Sequence, residues 1–170
     1  LQNWGGMNQA ITQFQGVRFG QWLPNTFDAI LLDAPCSMQN LRPTEARPMR
    51  PISTREETAL AKRQCKLLES ALFATRPGGQ IVYATCTLSP QEDEVVLDWL
   101  LSKYPHSIRV EDLSEKFNIH APGITSLQEK GFDAAVKNSF RLWPHRLSSS
   151  GFFCVRLTKT DEVYGKIRQA

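Results

Sequence analysis

Phe27-Asp28-Ala29-Ile30-Leu31-Leu32, closing on Asp33-Ala34-Pro35, and Gln80-Ile81-Val82-Tyr83-Ala84, closing on Thr85-Cys86-Thr87, are the two stretches on which the fold turns. Both are short, apolar and bounded by turn residues. With so little alternation they read as strands covered on both faces of a parallel sheet. Between them a helical pattern runs from about Thr54 to Thr75, with Leu60, Gln64, Leu67, Leu68, Ala71 and Leu72 on one face and a single polar interruption. It stops at Arg76-Pro77-Gly78-Gly79, a cation followed by residues that cannot continue a helix. Past the second strand, Ser89-Pro90-Gln91-Glu92 has the form of a capping box. It opens a second helix, with Val95, Val96, Trp99 and Leu100 as its apolar face and its end at Tyr104-Pro105.

Strand, helix, strand, helix predicts an α/β fold whose parallel sheet is joined by right-handed crossovers. Ser107-Ile108-Arg109-Val110 and Phe152-Phe153-Cys154-Val155-Arg156-Leu157 are further strands, and the irregular stretch from about Leu113 to Arg146 is expected to wrap the sheet. With 170 residues, 41% apolar, and a net charge of +3, the chain has the size and composition of one globular domain and not of a disordered segment. Its longest apolar runs are far below the ~18–20 residues of a membrane span. The mild basicity permits a nucleic-acid partner without arguing for one. Four cysteines lie far apart with no C-x-x-C pair, which argues against both a disulfide framework and a zinc site. No metal is expected. No signal peptide is visible at Leu1, so a reducing cytoplasmic setting is the expectation.

In an open α/β sheet, ligands bind beyond the carboxyl ends of the strands. Two consecutive strands end here in Asp33-Ala34-Pro35-Cys36-Ser37 and Thr85-Cys86-Thr87. Neighbouring parallel strands lie about 4.8 Å apart, so two thiols 50 residues apart in sequence can share one pocket. The alternative is that both are buried small hydrophobes, the reading adopted for Cys65 in the helix and Cys154 in the last strand.

Ile30-Leu31-Leu32-Asp33-Ala34-Pro35-Cys36-Ser37 and Arg76-Pro77-Gly78-Gly79-Gln80-Ile81-Val82-Tyr83-Ala84-Thr85-Cys86-Thr87-Leu88 resemble the two signature segments of the RNA cytosine-C5 methyltransferases of the Sun/Fmu and Nol/Nop type. Gln91-Glu92-Asp93-Glu94 resembles the acidic helix start that follows, and Gly151-Phe152-Phe153 the closing strand. Phe19-Gly20 and Leu23-Pro24 resemble the branch acting on bacterial small-subunit ribosomal RNA. The resemblance implies a Rossmann-like methyltransferase fold with helices on both faces of its sheet, S-adenosylmethionine as cofactor, and RNA, ribosomal more than transfer RNA, as partner.

It also implies roles. Cys86 is the nucleophile that adds to cytosine C6, and the enamine so formed attacks the methyl group of S-adenosylmethionine. Cys36 assists release after C5 loses its proton. Asp33 contacts the base edge and, with Pro35 and Gln15, the cofactor. The nucleophilic thiolate calls for a depressed pKa, supplied by neighbouring cations or dipoles.

Three positions depart from the family pattern. Gln15 stands where an Asp is usual, and Met38-Gln39-Asn40 replaces a glycine-containing turn after Ser37, a loss of backbone freedom. No glycine-containing cofactor loop precedes Phe27. The chain is therefore expected to be the C-terminal part of the catalytic domain, 1–159, with a tail at 160–170, and to bind the cofactor poorly alone. Seven cations face three acids between Arg42 and Lys66, which makes Arg42, Arg47, Arg50 and Arg55 candidates for RNA phosphate contact, against the alternative of a solvated surface. Phe140, Trp143 and His145 are candidates for base stacking, with a core role favoured for Trp143. Two rival functions remain at this level. One is a cysteine phosphatase on the Cys36…Arg42 spacing, weakened by the absence of glycine at 37–41. The other is a catalytically inactive methyltransferase-like scaffold for RNA or protein.

Overall fold

A computed structural model describes residues 8–39, 45, 51–147 and 150–163. In chain order, a 3₁₀ turn (Gly16–Arg18) and α1 (Phe19–Trp22) precede β1 (Phe27–Asp33), α2 (Thr54–Ala74), β2 (Thr75–Thr85), α3 (Glu94–Lys103) and β3 (Ile108–Glu111). The stretch expected to be irregular holds α4 (Ser114–Phe117), the small hairpin β4 (Ser126–Leu127) and β5 (Lys130–Gly131), a 3₁₀ turn (Ala134–Asn138), β6 (Phe140–Leu142) and α5 (Pro144–Leu147). The chain then enters β7 (Phe152–Lys159).

The sheet runs β1-β2-β7-β3, with β6 also paired to β7. β1 and β2 are parallel, as the crossover requires, but β7 inserts antiparallel between β2 and β3, so the sheet is mixed. A strand arriving from the far end of the chain, after a long excursion, is not bound by the crossover geometry that orients β1 and β2.

Alternate residues of the central strands, Ile81 and Tyr83 of β2 and Phe153, Val155 and Leu157 of β7, form one core with Leu68 and Leu72 of α2 and Val96, Leu97 and Leu100 of α3. The buried face of α3 thus includes Leu97 and Leu101, with Val95 and Trp99 only half-buried. Only one face of β1 is covered within the described residues: Ile30 and Leu32 pack on the core, while Leu31 is 72% exposed.

Helix α2 begins where its sequence says: the Ser53 hydroxyl accepts from the Glu56 N–H. Its end is sealed differently from the expectation. Arg76 pairs with the exposed Asp28, and the cation at the helix terminus is Lys159 of β7. That ammonium is buried and donates to the carbonyls of Leu72 (3.0 Å) and Thr75 (2.7 Å) and to Asn25 Oδ1 (2.6 Å). The Arg76-Pro77-Gly78-Gly79 stretch bulges between the Phe27–Thr75 and Ala29–Gln80 pairs, with Gly78 at φ +78°.

The Gly16–Gly20 segment is pinned to α2 through one hydroxyl. Ser70 Oγ donates to the Gly16 carbonyl (2.7 Å) and accepts from the Gly20 N–H (2.9 Å). A Cβ on Gly20 would stand 2.5 Å from the Ser70 carbonyl oxygen, so only glycine allows this approach.

Candidate active site

The register of β1 on β2 sets the site. Asp33 lies opposite Ala84, so three residues on from Asp33 and two on from Ala84 bring Cys36 and Cys86 to the same edge. Their sulfurs are 3.2 Å apart, as two free thiols, each half-buried. Burial, followed by the contact with Cys86, pushes the Cys36 thiol up to about 12. Cys36 therefore keeps its proton at neutral pH, and either sulfur can donate in the contact between them.

The loop after β2 is built into the interior. Thr85 Oγ1 donates to Asp93 Oδ1 (2.6 Å), the Tyr83 hydroxyl to the Glu92 carbonyl (2.5 Å), and the Ser89 N–H to Thr87 Oγ1 (3.2 Å). Arg141 of β6, itself fully buried, donates to Glu94 through Nε (2.7 Å) and Nη2, to Asp93 Oδ2 (3.1 Å) and to the Leu88 carbonyl (2.9 Å). Glu92, Asp93 and Glu94 are all 0% exposed. Asp93 is pushed up to about 8, by burial first; the Thr85 hydroxyl and Arg141 oppose the rise, and the neighbouring Glu94 and Glu92 add to it.

The loop after β1 has fewer supports. The Ser37 N–H donates to Glu92 Oε2 (3.0 Å), and the Ser37 and Thr87 hydroxyls share a hydrogen bond (2.9 Å) that ties the two loops together. Gln64 Nε2 donates to both the Pro35 carbonyl and Glu92 Oε2, each at 2.9 Å. Met38 takes φ +52°, the left-handed region a glycine would occupy freely.

The predicted capping box does not form. Glu92 turns its side chain to Ser37 and Gln64, and Ser89 Oγ donates to Glu57 Oε1. The helix starts only at Glu94, after Asp93, whose side chain caps nothing. The physical reason is competition: a buried amide on the neighbouring loop outbids a local N–H that other acceptors satisfy.

Asp33 and Pro35 stand exposed at the end of β1, and Gln15 is exposed just before the first 3₁₀ turn. Arg55 is exposed in the first turn of α2, whereas Arg42, Arg47 and Arg50 lie outside the described residues. Cys65 and Cys154 are half-buried away from the thiol pair, and burial raises both thiols. Of the aromatics, Phe140 is buried against Phe117 and cannot meet a base. Trp143 lies half-buried beneath the Arg141 guanidinium (5.2 Å to the ring centroid), while His145 is exposed beside it.

Sequence reasoning missed Gln64, Asp93 and Arg141 as site residues. A glutamine interrupting an apolar helix stripe, and an arginine in the otherwise apolar Phe140-Arg141-Leu142-Trp143, were the available signals.

Set beside known proteins, residues 1–158 match the model of the family described as 16S rRNA methyltransferase RsmB/F. The chain is 39% identical over 159 residues to a ribosomal RNA small subunit methyltransferase F of Klebsiella pneumoniae, covering 94% of the chain and 31% of that protein. It is 40% identical over 163 residues to the same-named protein of Aeromonas hydrophila, covering 96% of the chain and 32% of that protein. The chain thus spans about a third of the length of these curated relatives. Among solved structures, a methyltransferase homolog protein from Pyrococcus horikoshii matches with a TM-score of 0.75 at 28% identity, over 91% of this chain and 46% of that one. NSun6 from Pyrococcus horikoshii with SFG matches with a TM-score of 0.71 at 26% identity, over 94% and 37%. The fold is the α/β Rossmann-like methyltransferase fold, and the chain belongs to the RsmB/F family of 16S rRNA methyltransferases.

Proposed function

We propose that this chain carries the thiol pair of an S-adenosylmethionine-dependent methyltransferase acting on cytosine C5 of ribosomal RNA, with Cys86 as nucleophile and Cys36 as the thiol that serves product release. The observation that supports this most is the 3.2 Å approach of two free thiols at the carboxyl edge of adjacent parallel strands. Cys86 Sγ forms a bond to C6 of the base, and the C5–C6 electron pair moves toward the ring, making C5 nucleophilic. Once the methyl group is on C5, a water molecule takes the C5 proton, the freed pair re-forms the C5–C6 double bond and expels Cys86 as thiolate, and Cys36, protonated by virtue of its burial, donates to that leaving sulfur. Asp33 hydrogen-bonds the base edge. Arg55, with Arg42, Arg47 and Arg50, neutralises RNA phosphates.

The cofactor supplies the methyl group when bound, and the residues present suit part of its site. An apolar cavity of about 320 Å³ is lined by Gly16, Phe19, Ile30, Leu32 and Leu67. Gln15 and Asp33 are the sequence neighbours of two of these, and their side chains bond to no described residue. With Pro35, this carboxylate and amide, next in sequence to residues that line an apolar cavity, would hold an adenosine moiety. One of the structural neighbours above was solved with SFG, an analogue of S-adenosylmethionine.

The test is trapping. RNA carrying 5-fluorocytosine has no C5 proton to lose, so the intact protein with cofactor should accumulate a covalent RNA adduct. Cys86→Ala should abolish it and Cys36→Ala should not. An adduct that survives Cys86→Ala would remove Cys86 from the role.

A further inference from the structure

Cys36 is held from both sides by the same two groups. The carbonyl before it, on Pro35, accepts from Gln64 Nε2, and the N–H after it, on Ser37, donates to Glu92 Oε2. Gln64 Nε2 and Glu92 Oε2 are themselves bonded at 2.9 Å. One amide of α2 and one carboxylate of the turn before α3 thus close a ring of hydrogen bonds around the peptide groups that carry Cys36. Both side chains are fully buried, and the single oxygen of Gln64, Oε1, and the second oxygen of Glu92, Oε1, have no donor among the described residues. An unsatisfied buried oxygen is costly, so each of these side chains carries a penalty that its remaining hydrogen bonds must offset.

Glu92 also touches the other loop through its backbone, whose carbonyl accepts from Tyr83 of the strand leading to Cys86. We propose that Gln64 and Glu92 are positioning residues that set the separation of the Cys36 and Cys86 sulfurs. The catalytic consequence rests on the function proposed above: whatever loosens Cys36 slows release of methylated RNA more than it slows adduct formation. The geometric claim does not depend on that reading.

The test reads the thiol pair without RNA or cofactor. The intact protein is equilibrated with glutathione, and the peptide pair containing Cys36 and Cys86 is followed by mass spectrometry. Closure joins the two sulfurs in one disulfide, while oxidised glutathione takes up the two protons and two electrons and becomes two reduced glutathiones. The square of the reduced glutathione concentration divided by the oxidised concentration at half-closure is the effective concentration of one sulfur at the other.

Gln64→Met keeps the shape of the side chain and removes both donors. It should lower that effective concentration roughly tenfold, the loss expected for a hydrogen bond to a charged group. The orphaned Gln64 oxygen goes with its donors, which offsets part of the cost of leaving the Pro35 carbonyl and Glu92 Oε2 one donor short, so the melting temperature should change little. Gln64→Leu is the second loosening variant and should shift the same way. Glu92→Gln keeps an oxygen for both donors and should stay within about twofold of the unaltered protein. Both Gln64 variants closing at the unaltered ratio would overturn the proposal, as would Glu92→Gln loosening as much as Gln64→Met. Loss of the Cys86 assignment would appear only in the trapping experiment and leave this measurement intact.

Discussion

The loops that follow β1 and β2 present the same chemical group to the same spot and are supported in opposite ways. The Cys86 loop leaves a central strand, flanked by β1 and β7, and stands on Thr85, Asp93, Glu94 and Arg141, all fully buried. The Cys36 loop leaves a strand with one covered face, and its contacts are Gln64, Glu92 and the Thr87 hydroxyl. It also carries a left-handed, non-glycine residue, Met38. A residue that must form and keep a bond to a ring carbon gains from a fixed position. A residue that moves a proton at the end of the cycle tolerates a softer mount. The difference in support thus parallels the division of roles proposed for the two thiols.

The comparison breaks most severely on the rigid side. Arg141→Met would strand Asp93 and Glu94 with no described cation facing them, and is expected to cost about 3–5 kcal/mol of stability, read by chemical denaturation. A loss under 1 kcal/mol would mean that the buried cluster is not what anchors the Cys86 loop.

Next in size is a pH effect from Asp93, whose carboxyl sits at 3.8 in the unfolded chain and near 8 in the fold. Between those values the folded state holds a proton the unfolded state has lost, so stability falls as pH rises and levels off above about 8. From pH 6 to 8 the decline should be about 2 kcal/mol. Asp93→Asn should flatten it, and equal slopes in the two proteins would show that Asp93 is ionised throughout.

The smallest effect sharpens the soft side. Met38→Gly relieves a left-handed residue at the cost of a freer unfolded chain, for a net gain of about 0.5–1 kcal/mol in thermal melts. A destabilised Met38→Gly would instead assign the Met38 side chain a packing role in its loop.

Local chemistry made much of this legible. The span of α2 from Thr54 to a stop before Gly78 followed from apolar periodicity and from residues that break helices, and β1 and β2 from runs bounded by turns. The thiol pair was also readable, because a parallel crossover forces consecutive strand ends to one edge and each end was marked by a cysteine. Long-range choices stayed hidden. Nothing in Phe152–Lys159 says that it will insert antiparallel between β2 and β3, and nothing near Lys159 says that it will seal the end of α2. Arg141 looked like one residue of an irregular stretch, yet it organises the buried acids under the Cys86 loop. Glu92 carried a strong local signal, a capping box, and the signal misled, because Ser37 and Gln64 arrive from elsewhere in the chain and claim its carboxylate.

Periodicity, turn residues and the two strand-end cysteines are properties of neighbours along the chain, where sterics and hydrogen-bonding capacity act over a few residues, and these the sequence determined unaided. Partners of buried polar groups are selected by what packing leaves within hydrogen-bond reach, across separations of 28 to 55 residues at this site. For that reason only the tertiary structure decided that Gln64 and Glu92 would flank Cys36 and that one guanidinium would serve two buried acids.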